Sequence, residues 1–359
     1  MRNKRPKIGI VAPNISGKGG TETVLTKVIN FDGFKEKVEF ELFLSDGTKD
    51  YSWLNELKIN KRNISINNHN GFRKIIKKIT FFIRSSDDMI LALGPKTILL
   101  AWIIRLIFFK KYKIVSWIHF SLVNGPVKHV NLIKYADYHF AISTGIVNQL
   151  LDMGVNRQKI FKIYNPVEKV SAVVQVSKDN IRRIVYVGRM TYFGQKNLKF
   201  LIDALSKLPK NRYYELNMYG DGEDVYKLKD YCSKILTENI NVRWHGWTQN
   251  PWEKIELADV LVLTSIYEGF GMVLAEAISR GVPVVSTDAP VGPSDIVQNG
   301  KNGFLVEIGD VDNFASKVNC AVDCFHSVDK KEIKQSISYL YSESFYPRFK
   351  GALSQILGN

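Results

Sequence analysis

Residues 268–276 read Glu268-Gly269-Phe270-Gly271-Met272-Val273-Leu274-Ala275-Glu276, and the reading of this stretch decides the fold. Before it stands Val260-Leu261-Val262-Leu263, apolar at every position, as a strand buried on both faces of a parallel sheet is. After it, residues 272–279 are rich in apolar side chains and stop short of Gly281, which predicts a short helix ended by glycine. Two glutamates and two glycines thus fall where a strand's carboxyl end meets a helix start, the edge at which open α/β sheets bind ligands. Glycine lets backbone approach closely, and the amides of a helix start favour an anion. Glu276, further along, suits sugar or ribose hydroxyls, because a carboxylate accepts two hydrogen bonds at once.

Working outward, the same alternation of apolar run and helical period fills the chain. A first buried strand over 7–12 leads into Ser16-Gly17-Lys18-Gly19-Gly20-Thr21-Glu22 and a helix over 23–29. That loop carries neither the G-x-G-x-x-G fingerprint nor a closing Gly-Lys-Ser/Thr. Further strands are predicted over 38–44, 89–93, 113–120 and 159–163, with helices over 72–83 and 97–109. The strand over 113–120 ends at His119-Phe120, and Tyr138-His139-Phe140-Ala141-Ile142-Ser143 ends in a hydroxyl. Asn165-Pro166-Val167 breaks the regularity. The pattern then restarts with a strand over 183–187 that runs into Gly188-Arg189, and Gly194-Gln195-Lys196-Asn197 opens the next helix. Strands follow over 214–219, 241–244, 259–264 and 282–286, with an edge strand over 302–306. Helices over 311–324, 331–340 and 342–357 close the chain. This predicts an α/β protein with a first domain over 1–165, a second over 166–340 and a terminal helix over 341–359.

A chain of 359 residues, 45% hydrophobic, can bury two cores of ordinary size. Cys232, Cys320 and Cys324 are too few for a disulfide framework and lack zinc spacing, which predicts a reducing compartment and no metal site. No signal peptide shows in Met1-Arg2-Asn3-Lys4-Arg5-Pro6, and the longest apolar run, over 97–109, is broken by Arg105 and too short to span a bilayer. The net charge of +15 sits wholly in residues 1–165, with 27 Lys and Arg against 12 Asp and Glu. The rest of the chain balances at 23 of each. Such asymmetry predicts an anionic partner for the first half alone. Nucleic acid is disfavoured, since no recognised nucleic-acid signature appears. Arg73, Lys74, Lys77 and Lys78 share the polar face of the helix over 72–83, the pattern of a helix lying on an anionic membrane.

An enzyme that moves a sugar from a nucleotide diphosphate must neutralise charge growing on the leaving diphosphate, with a metal or with cations and helix dipoles. No Asp-x-Asp metal motif stands where a strand meets the predicted site. Arg189 and Lys196 both follow one strand, offering a planar fork and a point charge for phosphate. Glu-x7-Glu after a strand, with Gly-Phe-Gly inside and this cation pair upstream, resembles the retaining glycosyltransferases of family 4. These have the GT-B fold: two Rossmann-like domains facing a central cleft, with the C-terminal helix crossing back to the first domain.

The resemblance implies a role for each matching residue. Arg189 and Lys196 would bind the diphosphate of a UDP-sugar, Glu276 the ribose hydroxyls and Glu268 hydroxyls of the transferred sugar. Backbone amides of Gly269, Phe270, Gly271 and Met272 would contact sugar and phosphate. Gly19 and Gly20, with Glu22, would face the donor phosphates and acceptor. His119 would lie near the reacting sugar, and the backbone of His245-Gly246-Trp247 would read the base. His69, His129, His139 and His326 are read as structural. No metal and no cofactor is implied, the UDP-sugar being a substrate.

Ser116-Trp117-Ile118-His119-Phe120-Ser121-Leu122, Ala136-Asp137-Tyr138-His139, Asn165-Pro166-Val167-Glu168, Gly188-Arg189-Met190, Gly194-Gln195-Lys196 and Pro251-Trp252-Glu253 narrow the resemblance to galactosyltransferases of the lipopolysaccharide core. It spans roughly residues 7–310, strongest from 114 onward, and the basic stretch over 58–113 fits it poorly. The implied activity is retaining transfer of a hexose, α-galactose first, from a UDP-sugar to a glycan or lipid-linked saccharide. It implies a cytoplasmic enzyme, peripheral on the inner face of the plasma membrane. The alternatives are a capsule or exopolysaccharide glucosyl- or N-acetylhexosaminyltransferase of the same fold, or a non-catalytic carbohydrate-binding subunit. An epimerase would want carboxylates for proton transfer and a phosphorylase a pyridoxal-phosphate lysine, and neither is evident.

Overall fold

Short apolar runs, each flanked by turn residues, pair side by side into two parallel sheets. The computed structural model describes residues 5–13, 15–16, 19–123 and 125–358. The chain forms two compact units, Met1–Pro166 with Phe345–Asn359 and Val167–Ser344. The first holds β1 Lys7–Ala12, α1 Gly20–Asn30, β2 Glu39–Leu44, β3 Ile64–Ile66, α2 Gly71–Arg84, β4 Met89–Ala92, α3 Pro95–Ile107, β5 Lys113–Ser116, β6 Tyr138–Ala141, α4 Thr144–Asp152 and β7 Ile160–Lys162. The second holds β8 Ile181–Val187, α5 Leu198–Leu205, β9 Tyr213–Tyr219, α6 Val225–Ile235, β10 Ile240–Gly246, β11 Val260–Leu263 and α7 Met272–Ile278. It continues with β12 Val284–Thr287, α8 Pro293–Ile296, β13 Gly303–Val306, α9 Val311–Cys324 and α10 Lys330–Gln335, and α11 Ser342–Leu357 ends the chain.

The first sheet runs β3-β2-β1-β4-β5-β6-β7 and the second β10-β9-β8-β11-β12-β13. Every pairing is parallel, so in each sheet all the carboxyl ends lie along one edge. β1 lies between β2 and β4, and β8 between β9 and β11. The chain therefore departs to opposite sides from β1 and from β8, which opens a crevice at the carboxyl ends of β1/β4 and of β8/β11.

The last helix returns to the first unit and completes its core. Phe349 stands 5.6 Å from the Trp117 ring, 5.3 Å from Phe140 and 5.7 Å from Phe34. Tyr346 stacks on Phe31 at 3.5 Å and donates its hydroxyl to the Lys27 carbonyl at 2.9 Å. Such aromatic pairs add about 0.5–1.5 kcal/mol each beyond the area they bury.

Three expectations change. The strand predicted over 113–120 stops at Ser116, because its neighbour β4 ends at Ala92 and only Trp117 N–H still finds a partner there, at 2.9 Å. His119 thus lies beyond the ladder. β10, expected to stop at 244, runs through His245 to Gly246, with an irregularity between Trp244 and Gly246. Ser143 caps α4, its hydroxyl accepting from Ile146 N–H at 3.1 Å, so this strand-end hydroxyl serves a helix.

Candidate active site

In the second unit, the loops after β8 and β11 are laced together. Ile266 N–H donates to the Gln195 carbonyl at 2.9 Å, Thr264 Oγ1 to the Lys196 carbonyl at 2.8 Å and Gln195 Nε2 to the Tyr267 carbonyl at 3.3 Å. Across this seam Lys196 Nζ meets Glu268 Oε1 at 2.6 Å, with 15% and 8% of the two side chains exposed. A cation and a carboxylate are thereby held at the β8/β11 crevice. Arg189, two residues after β8, is exposed and makes no ion pair or side-chain hydrogen bond among the described residues. Its backbone is fixed, since Tyr186 donates its hydroxyl to the Arg189 carbonyl at 2.6 Å. One anchored backbone with a free guanidinium, and one half-buried ammonium from the same loop, is an arrangement that can receive an anion.

Gly271 precedes α7 with φ +86°, a left-handed conformation that glycine adopts without strain. It lets the chain turn from β11 into the helix, with the Met272 and Val273 amides at the helix start. Gly269 is buried, and Phe270 is packed into the interior. Phe270 thus offers any ligand its backbone and not its ring.

Glu276 lies one turn into α7. Trp252 Nε1 donates to Glu276 Oε2 at 3.0 Å, and Arg280 donates to the Glu276 carbonyl at 3.0 Å while its guanidinium covers the Trp252 ring at 4.9 Å. One carboxylate oxygen is therefore held by an indole. The motif Pro251-Trp252-Glu253 gives Trp252 no role by itself, because its partner is 24 residues away in the chain.

His245 is exposed at the end of β10, stacked on Tyr219 at 4.1 Å with its Nε2 against Asn217 Oδ1 at 2.7 Å. Its imidazole is held below its ordinary range by burial and by the nearby Arg243 and Lys254 cations. The Gly246 carbonyl accepts from Gly220 N–H at 2.8 Å. A Cβ on Gly220 or Gly222 would overlap the backbone of Gly188 or Met190, on either side of Arg189.

Residues 181–323 match the family Glycosyl transferases group 1. The sequence is 33% identical to the lipopolysaccharide 1,6-galactosyltransferase of Salmonella typhimurium, over 97% of this chain and 98% of that protein. It is 34% identical to the enzyme of the same description from Escherichia coli, over 95% and 96%. The chain belongs to the group 1 glycosyltransferases. The fold agrees: the apo form of the lipopolysaccharide outer core galactosyltransferase WaaB superposes with a TM-score of 0.85 at 33% identity, covering 97% of this chain and 99% of that one. With 97% of the chain aligned, the likeness extends through the basic stretch over 58–113, which the motifs alone had left out.

The remaining candidate residues of this glycosyltransferase lie in the first unit. Gly19 precedes α1 and Gly20 begins it, at the carboxyl end of β1. Glu22 is buried and accepts from Ser16 Oγ at 3.0 Å. Gly17 and Lys18 of the same loop lie outside the described residues. His119 is buried with its ring 4.9 Å from Trp117, and its Nε2 has no hydrogen-bond partner among the described residues. A buried polar atom without a partner is costly, and marks a place where a ligand group would repay it. The four cations of α2 do not form one free face. Lys74 and Lys78 both reach Asp46, at 2.7 and 2.8 Å. Burial pushes the Asp46 carboxyl up, and hydrogen bonds from Lys74, Lys78 and Ser45 more than reverse this.

Burial alone pushes the His119 imidazole down to about 3, and burial with the nearby Lys159 charge pushes His139 down to about 4. Histidine in the unfolded chain protonates near about 6.5. The unfolded state therefore binds more protons below that pH. The stability conferred by neutral His119 is present above about 6.5 and lost as pH falls toward the folded value. Asp87, pushed up to about 6 by burial, acts in the opposite sense. Comparison with His119→Asn cancels that contribution. Between pH 6 and 4 the wild type should lose about 1.4 kcal/mol per pH unit more than the variant, read from urea midpoints. Equal slopes would mean that His119 is hydrated in the folded protein.

On the ribose-holding role that the resemblance implies for Glu276, Glu276→Ala should weaken UDP binding by about 1–3 kcal/mol through loss of a charged acceptor. Trp252→Phe should produce a smaller loss of the same kind by freeing the carboxylate. Calorimetric titration with UDP reads both, and unchanged affinity in Glu276→Ala would make this glutamate structural.

Proposed function

We propose that this glycosyltransferase moves a hexose, α-galactose first, from a UDP-sugar to a saccharide of the lipopolysaccharide core, with retention and without a metal ion. The observation that carries the reading is the Lys196–Glu268 pair, 2.6 Å apart at the β8/β11 crevice beside the unpaired Arg189. Arg189 and Lys196 neutralise the diphosphate, the amides before and at the start of α7 add partial positive charge, and Glu268 and Glu276 hold sugar and ribose hydroxyls. In the first unit, His119 Nε2 is buried without a partner among the described residues and is the polar atom there that could bond a saccharide hydroxyl. The relatives named 1,6-galactosyltransferase support galactose as the sugar and lipopolysaccharide as the acceptor.

The acceptor hydroxyl attacks C1 on the face that UDP leaves. The C1–O bond to the β-phosphate breaks, its electron pair stays on the phosphate oxygen, and that oxygen takes the hydroxyl proton as the new C1–O bond forms. No residue need become covalently attached. A lipid-linked acceptor would keep the enzyme at the inner face of the plasma membrane. Among the described residues no helix is long and apolar enough to cross a membrane.

The test is transfer from UDP-galactose to a truncated lipopolysaccharide core in the presence of EDTA. The product's anomeric proton should show the small coupling constant of an α-linkage, at an undiminished rate. A β-linked product would overturn retention, and a strict divalent-metal requirement would overturn the role given to the two cations.

A further inference from the structure

The end of α3 departs from ordinary surface design in two ways. Lys110 N–H donates to the Arg105 carbonyl at 3.0 Å, six residues closing one turn, as at many helix ends. The residue that must turn left-handed in such an ending is usually glycine. Here it is Phe109, with φ +50°, a conformation that strains a bulky side chain. Phe109 is also 89% exposed, so burial does not offset the strain. Leu106, Ile107 and Phe108 beside it are exposed as well. An apolar side chain that neither packs nor relaxes its own backbone stabilises nothing within the fold and is open to a partner outside it.

The surroundings say what that is. Leu106 and Phe109 line one shallow depression with Lys110, Lys111 and Lys113, and the acid there, Asp137, is paired with Arg105. Apolar side chains ringed by lysines, in the half of the chain that carries the whole net charge, match the interface of an anionic bilayer: acyl chains for the rings, headgroup phosphates for the ammonium groups.

We propose that residues 106–111 at the end of α3 insert into the surface of an anionic phospholipid bilayer, with Phe109 as the anchor. This deepens the proposed action at a membrane and rests on it. It also moves the docking site from the polar face of α2, where two of the four cations are already paired, to the helix beside it.

The experiment uses the full chain with vesicles of phosphatidylcholine alone or mixed with phosphatidylglycerol. Wild type should sediment with the mixed vesicles only, and part of the binding should survive high salt because rings as well as charges hold it. Phe109→Gly should weaken the partition about tenfold or more. Its thermal midpoint should stay level or rise, since glycine relieves the left-handed residue. Hydrolysis of soluble UDP-galactose should be unchanged in this variant. Equal partition of wild type and Phe109→Gly would overturn the proposal, as would wild type ignoring both vesicles. A dimer that Phe109→Gly dissociates, without vesicle binding, would show that the face meets a second copy and would also overturn it. In all three cases transfer from UDP-galactose would stand or fall separately.

Discussion

Arg189→Ala should lower turnover by about 10²-fold or more, as the loss of one preorganised charge stabiliser does elsewhere, while leaving stability almost untouched. The second half of that expectation follows from the structure. The guanidinium is exposed and holds no ion pair among the described residues, so its removal breaks nothing in the fold. A fall in activity then reports directly on a charge used during the reaction. Steady-state kinetics beside a urea titration separates the two readouts. Full activity would remove Arg189 from the donor site.

Lys196→Ala should lose as much activity for a compound reason. Its ammonium and the Glu268 carboxylate face each other at 2.6 Å with little exposure. Removing one partner leaves a buried charge uncompensated, at a cost of about 3 kcal/mol or more. Lys196→Ala should thus destabilise the protein as well as slow it. Adding Glu268→Gln removes the stranded charge and should restore much of the stability. It should not restore turnover, because in the proposed reaction the diphosphate would still lack the Lys196 cation. Recovery of activity in the double variant would show that Lys196 serves only to neutralise Glu268.

The fold was legible because parallel strands buried on both faces are written as unbroken apolar runs. Val260-Leu261-Val262-Leu263 is buried at all four positions and is a strand end to end. What the runs do not show is where a ladder stops, which depends on the neighbouring strand. β5 ends at Ser116 although Trp117 and Ile118 remain apolar and buried. α4 was not read, though Ser143 before it carries the capping signal that could have found it. Arg189, Lys196 and Glu268 could be located in advance because each follows a strand, and topology places strand ends together. The side-chain pairings were not legible. Lys78 meets Asp46 across 32 positions, and Trp252 meets Glu276 across 24. Nothing local in the sequence sets those partners, since they depend on how helices settle against the sheet. The consequence was largest for α2, where two of the four cations proved to share one carboxylate, Asp46.

Gly220→Ala should strongly destabilise the second unit. The chain leaves β9 at Gly220 with φ +138°, a region that residues with a Cβ avoid. A methyl group there would overlap the carbonyl oxygen of Gly188, which is backbone and cannot rotate away. The contact is close because two strand exits are tied together: Gly188 N–H donates to the Tyr219 carbonyl at 3.0 Å and Met190 N–H to the Asp221 carbonyl at 2.9 Å. Backbone strain and overlap together should cost about 3 kcal/mol or more. The loss should reach function through geometry, because the segment displaced is Gly188-Arg189-Met190, whose position aims the free guanidinium. A urea midpoint well below that of the wild type is expected. Donor affinity should also fall at temperatures where the variant is still folded. Gly300→Ala is the matched control: its φ of +76° is likewise positive, but a Cβ there meets nothing within 4 Å. It should pay the backbone cost alone and bind UDP normally. If the two variants unfold at the same urea concentration, the close passage at Gly188 contributes nothing, and the donor loop is held by its hydrogen bonds.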